Sequence, residues 1–204
     1  MLDVRDVLNL APAYQAYQRL GGFFGARVRA IERHLAINPG HRVIDIGCGP
    51  GYIVEHLPES IEYLGFDTDA KYIDFARRRF GHRGKFFCRL FDDAAAEEFK
   101  GADLVMMNGV VHHMDDADAV GTFRSVHRVL KAKGQIFTLD GCYTENQSAL
   151  VRYLLRKDRG RFVRNETGYR ALLEASFENV KVAIYEGISR VPYTFIVMVG
   201  TKLA

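Results

Sequence analysis

The sequence predicts an α/β fold in which a mostly parallel sheet is covered on both faces by helices. Three observations carry this expectation. Short apolar runs rich in β-branched and aromatic residues alternate with segments of helical period through the middle of the chain. The first of those runs leads straight into a glycine-rich turn. The chain then changes character and finishes in two apolar runs with no helix between them, which pair as an antiparallel hairpin.

Composition fits one globular domain: 204 residues, 48% hydrophobic and 26% charged, enough to bury a sizeable core. No repeat, low-complexity tract or Pro/Ser-rich linker marks a boundary, so residues 1–204 read as a single domain. Residues 1–40 form an N-terminal helical cap, 41–140 the core, and 141–204 the remaining helices and terminal β-hairpin. A balance of 28 Lys+Arg against 25 Asp+Glu is too even for a whole-protein polyelectrolyte role. Cys48, Cys88 and Cys142 lie far apart, which excludes a disulfide framework or a four-cysteine zinc site and favours a reducing compartment. Met1 to Arg5 carry no basic-then-apolar run and nowhere do 18 apolar residues follow one another, so the expected location is cytoplasmic, with no membrane span.

The elements follow in order. Phe24, Val28, Ile31 and Leu35 make one face of a helix that stops at Asn38-Pro39-Gly40. The strands are Arg42–Gly47, Glu62–Asp67, Lys85–Leu90, Ala102–Asn108 and Gly134–Asp140. Between them Asp69 caps a helix with Tyr72, Ala76 and Phe80 on its apolar face and Gly81 at its end. Ala119, Phe123, Val126 and Leu130 define another, closed by Lys131, Lys133 and Gly134. After the fifth strand Thr144 and Gln147 form a capping box for a helix through about Leu155, and Tyr169, Leu172 and Leu173 mark one more. Val180–Tyr185 and Tyr193–Gly200 are the hairpin strands, joined through Glu186–Pro192.

The chemistry concentrates in Val43–Gly51, VIDIGCGPG, a buried strand running into a turn. Gly47, Gly49 and Gly51 remove Cβ atoms where backbone approaches a ligand or takes positive φ. The spacing is G-x-G-x-G, with Tyr52 where a dinucleotide fingerprint has its third glycine, so phosphate binding is disfavoured. Asp67, twenty residues past Gly47, ends the second strand where a carboxylate can accept from both hydroxyls of a ribose; it also fits as a turn acid ahead of Asp69. Asp45, inside a buried run, needs a cation or donors to offset its desolvation, and an amino-acid ammonium would supply them. A ribose, no phosphate and a charged amino-acid tail together describe an adenosyl amino acid.

With these residues in view the sequence resembles the class I S-adenosylmethionine-dependent methyltransferases. The resemblance covers Val43 to Asp140: VIDIGCGPG for the glycine motif, GFDTD for the acidic strand end, Phe91-Asp92-Asp93 after the third strand, and NGVVHHMDD after the fourth. It implies a three-layer, Rossmann-like methyltransferase fold with a seven-stranded mixed sheet of order 3-2-1-4-5-7-6, strand seven antiparallel. It further implies S-adenosylmethionine over the ends of strands one and four, leaving as S-adenosylhomocysteine. Asp45 and Gly47 would lie near its methionine part, Asp67 on the ribose, Asp92 near the adenine amine and Asn108 beside the methionine moiety, with Gly49, Gly51 and Thr68 also among the cofactor-binding residues.

Transfer of a methyl group from a sulfonium is an in-line displacement, and a base helps when the acceptor must lose a proton. His112 and His113 follow the fourth strand, where the reactive methyl should emerge; both also fit as structural residues or caps near Asp115. Tyr14 and Tyr17, one helical turn apart, fit a lid over cofactor or acceptor, or ordinary helix packing. The basic run Arg152, Arg156, Lys157, Arg159, Arg161, Arg164, Arg170 reads as a solvated face, or, through Arg156 and Arg161, as a receiver for an anionic acceptor. Cys48 is a small turn residue, and no His/Cys/Asp grouping suggests a metal. The expected acceptor is a small molecule, at oxygen first and nitrogen next, for a monomer or homodimer without a nucleic-acid partner. Three alternatives remain in view: an RNA methyltransferase using the basic 151–170 segment, a non-catalytic adenosylmethionine-binding partner subunit, and a nicotinamide oxidoreductase.

Overall fold

The computed structural model describes residues 20–157 and 160–204. Tyr14, Tyr17 and Arg159 lie outside the described residues. Helix α1 (Phe23–His34) buries Phe24, Ala26, Ala30 and Ile31 along one stripe. Strand β1 (Arg42–Ile46) follows, and the glycine turn leads into a single 3₁₀ stretch, Tyr52–His56. Next come β2 (Glu62–Asp67), α2 (Ala70–Phe80), β3 (Lys85–Cys88), α3 (Asp93–Glu98) and β4 (Ala102–Asn108). A 3₁₀ turn, Val111–His113, separates β4 from α4 (Asp116–Val129), which runs into β5 (Leu130–Tyr143). The chain closes with α5 (Ala149–Lys157), the two-residue β6 (Arg164–Asn165), α6 (Glu166–Glu174), β7 (Asn179–Glu186) and β8 (Thr194–Thr201).

The sheet order is β3-β2-β1-β4-β5-β8-β7, with β6 pairing β5. All main-sheet pairings are parallel except β5–β8 and β7–β8. This is the expected order once the short β6 shifts the last two labels by one. Alternate strand residues face opposite layers, as the pleat requires. Val43, Leu104, Met106 and Phe137 pack beneath α1 and α2, while Ile44, Val105, Met107 and Ile136 pack against α3, α4 and α6. With both faces covered, these strands read as nearly unbroken apolar runs.

Local chemistry explains the element ends. Asp69 caps α2, its carboxylate accepting the Lys71 and Tyr72 amides, and Ile73, Ala76 and Phe80 turn to the core. Asn165 caps α6 by accepting from the Gly168 amide. Among the boundaries that differ from the sequence expectation, three show their physical reason. β3 stops at Cys88, two residues short of Leu90, whose side chain is exposed. β5 starts at Leu130 and not Gly134, because Leu130 pairs with Ala102 before a register shift; Lys133 sits in that irregularity with φ 64. The Thr144/Gln147 capping box is absent: the Ser148 hydroxyl accepts from the Val151 amide, while the Gln147 amide donates to the Cys142 carbonyl and the Thr194 hydroxyl, tying β5 to β8. Among the described residues no helix is long and apolar enough to cross a membrane.

Candidate active site

The parallel strands deliver their C-terminal ends to one edge of the sheet, and the order reverses between β1 and β4, where a crevice opens. A cavity of about 660 Å³ lies there. Asp45, Gly47, Gly49, Asp67, Thr68, Asn108, His112 and His113 all line it. Gly51, Asp92, Arg156 and Arg161 do not. Gly51 instead packs under β3, where any Cβ would press on Phe86, Ala76 and Phe80. Asp92 is exposed and caps α3, its Oδ1 accepting the Ala95 amide at 2.9 Å. Arg156 and Arg161 are exposed.

The glycine turn is held from two sides. The Gly47 and Cys48 amides both donate to the Phe66 carbonyl, at 2.8 and 3.0 Å. Gly47 has φ +71, and a Cβ there would collide with Val110, so the position requires glycine on both counts. Asp67 spends one oxygen on the Gly49 amide at 2.8 Å and the other on the Asp69 amide at 2.9 Å. It therefore stiffens the cavity floor while lining it. Burial raises the Asp67 carboxyl above its ordinary range, against the pull of the Asp69 and Gly49 amides.

Asp45 lies on the layer beneath α1 and α2 and is 2% exposed. Its Oδ2 accepts from the Tyr63 hydroxyl at 2.7 Å. Burial pushes its carboxyl up to about 6, opposed by the Tyr63 bond, the Arg27 guanidinium and the Asn108 amide. Asn108 acts on it through space, without a hydrogen bond of normal geometry. Burial likewise drives the Tyr63 hydroxyl and the Cys48 thiol upward, so Cys48 is no nucleophile at neutral pH.

Beyond β4 the 3₁₀ turn presents a buried His112 and an exposed His113, with ring centroids 4.3 Å apart. His112 is anchored to Asp140 on β5, a residue the sequence reading missed. Asp140 Oδ1 accepts from the His112 Nδ1 at 2.8 Å and from its backbone amide at 3.2 Å. With Nδ1 donating, Nε2 carries the lone pair. Gly160 presses on this ring: a Cβ there would overlap His112 Cδ2. Arg164 locks the turn, its guanidinium donating to the carbonyls of Val111, Met114 and Phe162 and to the Asp116 carboxylate. The basic run is thus dispersed: Arg152 donates to the Thr144 carbonyl, Arg170 pairs with Glu166 and Glu174, and of the run's described members only Lys157 lines the cavity.

Among the described residues, several buried polar atoms of this cavity's lining have no hydrogen-bond partner: Arg27 Nε, Asp45 Oδ1, both amide atoms of Asn108 and Asp140 Oδ2. Folded proteins rarely leave such atoms unpaired, so their gathering along one cavity marks a polar ligand site. Arg27 and Asp140 carried readable signals. Asp140 is an acid within a buried strand, like Asp45, and Arg27 interrupts the buried stripe of α1 three residues after Phe24.

Residues 44–136 match the family model described as a methyltransferase domain. This segment, which runs from β1 into β5, is the part of the chain that is similar to methyltransferase domains. The chain is 26% identical over 156 residues to phosphoethanolamine N-methyltransferase 3 of Arabidopsis thaliana, covering 72% of this chain and 30% of that protein. An uncharacterized methyltransferase of Synechocystis is 33% identical over 107 residues, 52% of this chain and 49% of its own length. The chain thus spans less than half of either curated relative. Among solved structures, Haemonchus contortus phosphoethanolamine N-methyltransferase 2, in complex with phosphomonomethylethanolamine and S-adenosylhomocysteine, superposes with a TM-score of 0.71. It is 15% identical over all of this chain and 61% of that one. Geranyl diphosphate C-methyltransferase of Streptomyces coelicolor gives a TM-score of 0.64 at 16% identity, covering 88% of this chain and 76% of that one. These likenesses share a fold while their named acceptors differ. Among the described residues no three His, Cys, Asp or Glu side chains group to hold a metal.

Proposed function

We propose that this methyltransferase acts on a small molecule whose attacking atom must give up a proton, with His112 as the group that takes it. The observation that carries the reading is the row of unpartnered buried polar atoms running from Arg27 and Asp45 to Asp140. A cation at Arg27 beside an acid at Asp45 suits the two charged ends of a zwitterionic nucleoside, with Asn108 and Asp140 left to face its reactive end.

In this reading Asp45 Oδ1 takes the cofactor's ammonium and Arg27 its carboxylate. Asp67 and Thr68 face the ribose, and the apolar wall of Phe66, Leu90 and Phe91 faces the base. Glycine at positions 47 and 49 gives the backbone room to approach. When bound, the cofactor supplies an electrophilic methyl group on a sulfonium that is also the leaving group. The protein's share is alignment, exclusion of water and proton removal. Asp140 fixes the His112 tautomer and ring plane, Gly160 and Arg164 hold the turn in place, and Nε2 faces the task of a general base. Lys157 at the cavity rim suits an anionic group on the acceptor, a role the sequence reading gave to Arg156 and Arg161. The phosphorylated amine named for the curated and structural relatives agrees with such an acceptor.

The test is label transfer from methyl-labelled S-adenosylmethionine to a panel of small amines and alcohols. Wild type should label at least one, and His112→Gln should lose about a hundredfold or more in kcat while S-adenosylhomocysteine binds unchanged. Cofactor binding with no transfer to any panel member would oppose the proposal.

A further inference from the structure

We infer that Asp140 is the acceptor-reading residue of this site and that it selects a primary or secondary amine over a hydroxyl. The inference rests on the methyl-transfer reading above and extends it to the chemical class of the acceptor.

Asp140 is 1% exposed and lines the cavity from the C-terminal part of β5. Its two oxygens have different lives. Oδ1 is committed to His112, accepting from both the backbone amide and Nδ1, and this double anchor fixes the carboxylate plane. Oδ2 is buried without a hydrogen-bond partner among the described residues. A carboxylate oxygen can only accept, so what completes it must be a donor, and one bearing positive charge offsets the burial best. On one side of Asp140 stands the base, His112. On the other, Gly141 brings the backbone close under Tyr193, whose ring closes that wall. The acceptor's reacting atom therefore meets a hydrogen-bond acceptor and a base side by side.

The charge flow decides between nitrogen and oxygen. An amine enters as its ammonium, gives one proton to His112 Nε2 and keeps another N–H on Asp140 Oδ2. Its lone pair then forms the N–C bond as the C–S bond breaks, the electrons leaving on sulfur as a neutral thioether. Positive charge thereby moves onto nitrogen beside a buried negative oxygen, which is stabilising in a water-poor site. His112 passes its proton to bulk water between turnovers. A hydroxyl has only one hydrogen. Surrendering it to the base leaves an alkoxide facing the Asp140 carboxylate, a like-charge contact. A tertiary amine likewise has no N–H left once it is ready to attack, so methylation stops at the tertiary amine.

The experiment titrates S-adenosylhomocysteine-saturated protein with 2-phenylethylamine and with its shape-matched alcohol, 2-phenylethanol. The amine should bind wild type at least about tenfold more tightly than the alcohol. Asp140→Asn keeps an oxygen for His112 and should erase that ratio without changing the dissociation constant of S-adenosylhomocysteine. An alcohol that binds as tightly as the amine, binding of neither probe, or a ratio that survives in Asp140→Asn would each overturn the inference. Should Asp140→Asn fail to fold, the wild-type ratio decides alone. Failure of S-adenosylhomocysteine itself to bind would instead refute the underlying cofactor reading, and the two failures are seen in separate titrations.

Discussion

Replacing Asp45 by Asn isolates the electrostatic strain in the cofactor-free protein. The carboxyl is raised from an ordinary 3.8 to about 6 by burial. A raised carboxyl ionises in the unfolded chain first, so its penalty is absent below pH 3.8, grows between 3.8 and 6, and is constant above. At about 1.4 kcal/mol for each factor of ten, the full penalty is roughly 3 kcal/mol, of which about half is already present at pH 5. Asn carries no such penalty and can still accept from Tyr63. Without ligand, the stability of Asp45→Asn relative to wild type should therefore increase by roughly 1–2 kcal/mol between pH 5 and pH 7.5. For a chain of this size that is a shift of about 3–6 °C in Tm. S-adenosylhomocysteine at about a hundred times its wild-type Kd should stabilise wild type by about 2.7 kcal/mol and the variant far less. Differential scanning calorimetry at both pH values, with and without ligand, reads all of this. A relative stability that stays flat with pH, or full ligand stabilisation of Asp45→Asn, would refute the assignment of Asp45 to a ligand cation.

Two further outcomes test how the site is held. Gly160→Ala forces Cβ onto His112 Cδ2, so it should lower kcat at least about tenfold while the Kd of S-adenosylhomocysteine stays within about threefold; steady-state kinetics and calorimetry separate the two. Arg164→Ala strips charged donors from three carbonyls and the Asp116 carboxylate, and should cost roughly 2–4 kcal/mol in urea unfolding, with Arg164→Lys recovering only part.

Much of the fold was legible because parallel strands buried on both faces announce themselves as apolar runs, and helix starts such as Asp69 carry their own chemistry. The last strands were readable for the opposite reason: Val180–Tyr185 and Tyr193–Gly200 leave no room for a crossover helix. What escaped was decided by tertiary partners. Ser148 took the cap expected of Thr144 because Gln147 was drawn across to Thr194 on β8. Arg164 looked like one more cation in a solvated run, yet the carbonyls it serves, at Val111 and Met114, are some fifty residues away. At the site, the glycine turn, Asp45, Asp67 and the two histidines were visible from spacing. The Asp140–His112 pair was not, since 28 residues separate its members and only the β4–β5 pairing brings them together.

The account stands on the cavity at the β1/β4 reversal holding an adenosyl amino acid. Isothermal titration of the wild-type protein with S-adenosylhomocysteine at pH 7.5, with NADH as the comparison, tests this directly. One saturable site for S-adenosylhomocysteine and no heat from NADH is the expected result. Saturation by NADH with no response to S-adenosylhomocysteine would contradict it.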